Sequence, residues 1–434
     1  MLSSTDNVAI IGGGLAGMAA ALALHELSFK CAVYEMRDTN AAPPTSSGAL
    51  MLSPNGLRIL DRFGLYSNIR ESSYAFDYVY YKNADEQTID QYPLGGDRAF
   101  GYKALRIYRQ DLLDILYAAC VQRKIPIHFG KKFAEVIDES ETQVKFKFTD
   151  GTLETASLLI GSDGIHSKLR DYVTPGTQKK FVGLAALTWE VPTTQLRIPE
   201  EKDYKFPVTI LTANGAFVLA PQKADGSAML AGTQIALEER DREGWNQLLT
   251  DKEGLVKLAT ANIGVWPDIA KSGMENINHE TMNLWPFYTI PQLSNWTSQK
   301  HRRVVILGDA AHAIPPTTGN GASQAFEDVA SLALLLSALK ENTGLKWEEA
   351  LRFWQKMRQD RIDDLLVLTK QLNNKRLPLE KQKMLAKGDL WVDESAENPS
   401  QMAWLYVPKT EEMVNTWVQE TVGGLLESGS RDFL

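Results

Sequence analysis

Two hydrophobic rhythms share the chain. Val8-Ala9-Ile10-Ile11 is an unbroken apolar run of the kind expected for a strand covered on both faces. Three glycines follow, and then residues 18–27, rich in Ala and Leu, predict a helix whose small residues face a sheet. Residues 29–35 form a second apolar strand that ends on an acid. Strand, glycine turn, helix and strand make one βαβ unit. Further on, residues 105–124 predict a helix and 125–129 a short strand. Residues 135–137, 144–149 and 152–153 predict a β-meander with Asp150-Gly151 as a hairpin turn. Residues 158–161 predict another buried strand, which leads into Ser162-Asp163-Gly164.

From about residue 175 to 285 the rhythm changes. Apolar runs at 181–189, 208–212, 216–220 and 228–231 are separated by Pro, Asn and Gly turns. They predict a mostly antiparallel sheet with one helical insert at 238–263. A similar pair of runs, 74–82 and 87–92, is expected to join that sheet. Residues 302–307 return to the buried-strand pattern, and 319–339 and 347–372 predict long helices. The expected class is α/β: a Rossmann-like domain of the glutathione-reductase type at 1–73, 93–174 and 286–340. A β-rich substrate domain at 74–92 and 175–285 is inserted into it, and a helical region at 341–434 closes the chain.

Composition narrows the functional classes. With 44% hydrophobic and 23% charged residues among 434, the chain has material for a large core and is not a disordered sequence. A net charge of −8 without a long basic stretch argues against nucleic acid as a partner. The two cysteines, Cys31 and Cys120, exclude a disulfide scaffold, a Cys-x-x-Cys pair and a cysteine-based zinc site, and suggest a reducing, cytoplasmic setting. The six histidines form no i, i+4 pair beside a carboxylate, so no metal is expected. Residues 1–7 are short and polar, unlike a signal peptide, and 428–434 carry no lipidation signal. No uninterrupted apolar run reaches the ~18 to 20 residues of a membrane span, the nearest being 329–339.

Three blocks carry chemistry. In Gly12-x-Gly14-x-x-Gly17, with Leu15 and Ala16 between, Gly12 permits the tight turn and Gly14 lets backbone approach a pyrophosphate. Gly17 lets the helix pack on the strand. Glu35, followed by Met36 and Arg37, ends the second strand, where its carboxylate can accept from a ribose diol. This acid alone does not separate NAD from FAD. The second block is Gly308-Asp309-Ala310-Ala311-His312-Ala313-Ile314-Pro315-Pro316-Thr317-Thr318-Gly319-Asn320-Gly321-Ala322. An Asp at a strand end can accept from a ribityl hydroxyl, and Gly319-Asn320-Gly321 opens a helix whose N–H groups can meet a flavin carbonyl. The third is Ser162-Asp163-Gly164-Ile165-His166, again after a buried strand, with Arg109 as a basic group that can reach a pyrophosphate.

These motifs, in this order, resemble the FAD-dependent monooxygenases of the para-hydroxybenzoate hydroxylase type, group A, and within them the salicylate-hydroxylase-like branch of secondary metabolism. The resemblance covers most of residues 6–340. It implies FAD held by the glycine turn, Glu35, Gly48, Ala49, Arg109, Asp163, Asp309 and the 319–322 turn. It further implies NAD(P)H as a transient reductant, an O2-derived flavin C4a-hydroperoxide, and one oxygen atom inserted into a small organic substrate by a monomer or homodimer. Pro315 and Pro316 should border the flavin, while His312 and His166 belong to loop structure rather than acting as bases. Trp189, Thr188 and Pro315 are the substrate candidates, because Trp189 ends a strand of the inserted sheet. Many aromatic-acid hydroxylases of this branch carry an arginine in the strand matching 184–192. This chain has Leu187-Thr188-Trp189-Glu190 there, which favours a larger and neutral, even polycyclic, substrate. A flavin-dependent halogenase, a prenyl-lipid reductase and a non-catalytic binding protein share the fold. Trp189-Glu190-Val191-Pro192 lacks the halogenase Trp-x-Trp-x-Ile-Pro pattern.

Overall fold

The computed structural model describes residues 6–38, 48–377, 379–386, 388–394, 398 and 400–429; the ends of the terminal segments considered above, 1–5 and 430–434, lie outside them. Its first layer is a five-stranded, wholly parallel sheet in the order Val304–Ile306, Leu158–Gly161, Asn7–Ile11, Lys30–Tyr34, Ile127–His128. Val8 to Ile11 and Leu158 to Gly161 are buried throughout, as a sheet covered on both faces demands. The Leu15–Glu26 helix covers one face, packed between the sheet and a central helix, Gly321–Glu341. That central helix is the one described helix long and apolar enough to cross a membrane, but most of it is buried inside the protein.

A seven-stranded sheet stands beside it, ordered Asn283–Thr289, Lys180–Pro192, Ala228–Ala236, Gly215–Pro221, Val208–Thr212, Tyr78–Lys82, Thr88–Pro93. All its pairs are antiparallel except Val208–Thr212 with Tyr78–Lys82, which is parallel. Leu187, Trp189, Val191, Phe217 and Met229 cover one face and pack with Leu255, Ile269 and Ala270 from the helices laid over it. Part of the other side, through Val79, Tyr81, Tyr92 and Leu211, packs with Leu365, Leu368 and Leu372 of the 29-residue helix Trp347–Lys375. Tyr406, from a late helical turn, reaches the same core and donates to the Pro93 carbonyl (3.0 Å).

Four sequence-based expectations change. The segment 105–124 is not one helix: Ala104–Tyr108 is a strand and the helix begins at Arg109. Ala49–Leu52 and Tyr74–Phe76 pair antiparallel on either side of it, and those two ladders outweigh the helical spacing of its leucines. Tyr74–Phe76 therefore belongs to this small sheet, and only Tyr78–Lys82 and Thr88–Pro93 extend the large one. The boundary at 286 falls inside the strand Asn283–Thr289, which pairs along Lys180–Pro192. The helical insert breaks at Asp251, whose carboxylate accepts from the Gly254 N–H (2.9 Å) and so starts a second helix, Lys252–Thr260, directly after Arg242–Thr250.

A buried charge cluster joins the layers. Arg358, on the long helix and fully buried, donates to Asp328 Oδ1 (2.7 Å), Glu327 Oε2 (2.6 Å) and Gln324 Oε1 (2.7 Å), all on the central helix. Asp328 Oδ2 accepts from the Gly308 N–H (2.9 Å) and lies 2.5 Å from His312 Nε2, while Glu327 Oε1 accepts from Asn55 Nδ2 (2.7 Å) and Arg361 (2.8 Å). Burial alone would raise both carboxyls, but His312 and Arg358 beside Asp328, and Arg358 and Arg361 beside Glu327, outweigh it and hold both below the ordinary range.

Arg358→Met leaves two buried carboxylates without their shared cation, and should cost ~3–5 kcal/mol in urea unfolding at neutral pH. Because both carboxyls sit below their ordinary values in the folded chain, their contribution is complete above about pH 4 and is lost as pH falls through the lowered values. The wild-type advantage over Arg358→Met should therefore shrink in acid; an advantage constant down to pH 3 would contradict the pairing.

Candidate active site

The glycine turn is built by close backbone approach. Gly12 has φ +105°, and a Cβ there would lie 2.6 Å from the Ser162 carbonyl oxygen; one at Gly17 would lie 1.9 Å from the Gly12 oxygen. Strand ends and helix start are thus packed with no room for a side chain, and Ser162 Oγ seals the junction by donating to Ile11 O (2.9 Å). Gly14 differs, since no atom lies within 4 Å of where its Cβ would stand. That open space faces the start of the Leu15–Glu26 helix, where unpaired N–H groups and the helix dipole attract an anion. Leu15 is buried beneath it, and Ala16 packs against Gly308.

Glu35, 6% exposed at the end of its strand, accepts from the Gly13 N–H through Oε2 (2.7 Å) and from the Arg37 N–H through Oε1 (2.9 Å). Its carboxylate is therefore locked beside the glycine turn, with Met36 exposed next to it. Arg109 begins its helix with its N–H on the Gly48 carbonyl (3.2 Å), while Ala49 pairs with Tyr108. Desolvation lowers the pKa of Arg109, Asp309 opposes that and Arg37 adds to it, so three groups from distant segments share one field. Asp163 Oδ2 accepts from the Lys168 N–H (2.8 Å) and Leu169 N–H (3.3 Å), whereas its Oδ1 is buried without a partner. Burial raises this carboxyl despite those bonds.

Gly308 turns with φ +58° and presents Asp309 to solvent at the start of the short helix Asp309–His312. Pro315 is buried and Pro316 exposed, ahead of a tight turn that ends at Gly319 (φ +67°), whose Cβ position lies 3.1 Å from Met51. Asn320 is fully buried; its Oδ1 accepts from Ser53 Oγ (2.9 Å) and its Nδ2 donates to Thr318 O (3.0 Å). The 21-residue central helix then opens at Gly321, with no atom within 4 Å of its Cβ position and Ala322 half-buried beside it. His312 lies buried against Asp328 and Trp296, as a strut of the loop.

On the substrate side, Trp189 is not a pocket residue. It is 1% exposed, donates to the Gly273 carbonyl (2.7 Å) and packs against Phe217, because strand alternation turns it toward the covering helices. Thr188 and Glu190 occupy the other face; Glu190 accepts from the Tyr108 hydroxyl at the end of Ala104–Tyr108. Two positions before Tyr108, Arg106 is 5% exposed and donates from Nη2 to Gln222 Oε1 (2.8 Å), while its Nε has no partner. Desolvation brings its pKa to about 10, still charged at neutral pH. The helical reading of 105–124 hid Arg106; the alternation Leu105, Arg106, Ile107, Tyr108 was the signal that exposes it. Among the described residues, no cluster of three or more His, Cys, Asp or Glu side chains is arranged to hold a metal.

A parallel sheet with a glycine turn that admits a phosphate, an acid locked beside it and a second helix start opening on free space defines a dinucleotide-binding flavoprotein. A family model described as an FAD binding domain matches residues 5–364. The chain is 26% identical to 3-amino-4-hydroxybenzoate 2-monooxygenase of Streptomyces cremeus, over 94% of this chain and 96% of that protein. It is 27% identical to salicylate hydroxylase of Pseudomonas putida, over 82% of each. In fold it is similar to CtdE in complex with FAD and substrate (TM-score 0.75, 20% identity), covering 97% of this chain and all of that one. The chain belongs to this FAD-binding family and is a FAD-dependent monooxygenase of the para-hydroxybenzoate hydroxylase type.

Gly14→Ala should unfold within about 0.5 kcal/mol of wild type as apoprotein, because its Cβ enters open space, yet bind FAD at least tenfold more weakly by fluorescence titration. Gly17→Ala, placed against the Gly12 carbonyl, should lose folding stability first. Equal stability losses in the two apoproteins would contradict the division of roles.

Proposed function

We propose that the protein uses NAD(P)H and O2 to insert one oxygen atom into an aromatic or polycyclic substrate held between the parallel-sheet layer and the seven-stranded sheet. The supporting observation is the pairing of a glycine turn open only at Gly14 with a second open helix start at Gly321, on a helix that meets Gly308 through Ala325 where Ala16 of the first helix also meets it. In this reading Gly12, Gly14, Leu15, Ala16, Gly17, Glu35, Met36, Arg37, Gly48, Ala49, Arg109, Asp163 and Asp309 hold the adenine, ribose, pyrophosphate and ribityl parts of FAD, and Gly319, Asn320, Gly321 and Ala322 its ring.

Bound FAD supplies the redox chemistry: two electrons from NAD(P)H reach O2, one oxygen atom enters the substrate and the other leaves as water. The protein's own groups do the positioning. Glu35, held by the Gly13 N–H, presents a fixed carboxylate to a ribose. Arg109 offsets phosphate charge, and the Asp163 Oδ1 without a partner is available to a donor or an ordered water in the loaded site. The start of the Gly321–Glu341 helix offers N–H groups where a ring carbonyl gathers negative charge. Pro315 and Pro316 wall that region without adding backbone donors. The aromatic substrates in the names of its relatives, 3-amino-4-hydroxybenzoate and salicylate, support a planar aromatic ligand here.

Holoenzyme should oxidise NAD(P)H faster in the presence of an accepted aromatic, consume O2 and yield product heavier by one oxygen atom, with the label from 18O2 retained. A halogenated or hydrogenated product, or oxidation that no aromatic stimulates and that ends only in hydrogen peroxide, would sink this reading.

A further inference from the structure

Residues 184–192 of the strand Lys180–Pro192 carry no basic side chain, which suggests a neutral substrate, yet a buried cation stands against the same sheet from a different strand. Arg106 sits in the middle of the small sheet, directly between Met51 and Tyr74 in register. Met51 packs against Gly319 of the ring-facing turn, and Tyr74 against Gly226 just beyond the strand Gly215–Pro221. Residues opposite one another in register share a face, so Arg106 lies in a row running from the ring-facing turn to the seven-stranded sheet. Tyr108 points the same way and donates to Glu190 on that sheet.

The partners of Arg106 set it apart. Arg358, equally buried, is matched by two carboxylates, as a buried guanidinium ordinarily must be. Among the described residues no carboxylate pairs with Arg106: one side-chain amide oxygen, Gln222 Oε1, accepts from Nη2, and Nε is left with a buried, unmet donor. Nε and Nη2 form the edge of a guanidinium that grips a carboxylate with two parallel bonds, and a glutamine beside them can add its amide N–H.

We propose that Arg106, with Gln222, is the clamp that binds the oxyanion of the aromatic substrate, its carboxylate or phenolate, and so makes this a monooxygenase of aromatic acids or phenolates rather than of neutral polycyclic compounds. The proposal rests on the monooxygenase reading for what happens to the bound ring, but not for the binding itself. The anion meets the unmatched charge, Gln222 either shares it or turns its amide to donate, and the ring is held at one end while the other approaches the turn containing Gly319. Charge then acts as a filter, because a neutral isostere leaves the guanidinium desolvated and unpaired.

The test is equilibrium titration of the FAD-loaded enzyme, followed by flavin absorbance, with matched probes. Salicylate, 3-amino-4-hydroxybenzoate and 6-hydroxynicotinate are set against their carboxamides, and simple phenols against their methyl ethers, over a pH range that ionises the phenols. Wild type should bind at least one anion about tenfold or more tighter than its neutral twin, a gap of the size expected for a charge-assisted pair. The carboxylate and phenolate arms identify which oxyanion is used. Arg106→Gln should erase the gap by weakening the anion alone, and Arg106→Lys should keep part of it, retaining the charge without the fork. Gln222→Glu supplies an internal carboxylate to Arg106 and should also erase the gap, with FAD content and thermal stability at least those of wild type. The proposal is overturned if no anion outbinds its neutral twin, or if Arg106→Gln and Gln222→Glu leave the gap as it was. Product mass is recorded separately. A charge gap without oxygenated product refutes the monooxygenase reading and not the clamp, whereas oxygenation with no charge gap refutes the clamp and not the activity.

Discussion

The buried contact of Arg358 with Asp328 and Glu327 is the interaction on which the arrangement of this protein depends. Two adjacent carboxylates in the middle of an apolar helix are costly to bury, and one guanidinium from the next helix makes them tolerable. Each carboxylate also reaches outward. Asp328 takes the Gly308 N–H and His312, fixing the turn that presents Asp309; Glu327 takes Asn55, fixing the start of the Pro54–Arg62 helix. Ser53, one residue before that helix, in turn donates to Asn320 at the start of the central helix. One charge cluster thus sets the positions of both ends of the segment between the strand Val304–Ile306 and the central helix Gly321–Glu341.

The polar and charged contacts of that loop are therefore largely architectural. His312, a tempting general base, is held against Asp328 and packed beside Trp296. Redox chemistry by a bound flavin needs few ionisable protein groups, so buried charges such as these are free to serve the architecture. The two arginines on and beside the strand Ala104–Tyr108 have different surroundings. Arg109 starts a helix in the field of Asp309 and Arg37, whereas Arg106 is buried against the second sheet. They lie three positions apart, yet the change from strand to helix at Arg109 sends them into different parts of the molecule.

The parallel sheet and its glycine turn were legible because their signals are local. A buried parallel strand is a continuous apolar run, and the turn needs glycines at set positions whatever surrounds it, as the close approaches at Gly12 and Gly17 make plain. The β-meander was legible because Asp150-Gly151 marks its hairpin. Less legible were segments whose state depends on partners far along the chain. Residues 104–108 run straight into the helix-forming stretch from Arg109, and only the ladders from Ala49–Leu52 and Tyr74–Phe76 make them a strand. Trp189 followed the same logic: its strand was evident, but the side of the sheet the helices would cover was not.

The sequence by itself determined the dinucleotide-binding βαβ unit, the order of the blocks around Glu35, Asp163 and Asp309, and through them the FAD-dependent class. These are short-range requirements of backbone conformation and charge on adjacent residues. Only the tertiary structure decided which charges are matched. Nothing beside Arg358 or Arg106 in the sequence shows which groups will partner them. Packing gives one of them two carboxylates and the other a single glutamine, because burial and partnership are properties of segments that meet in space rather than along the chain.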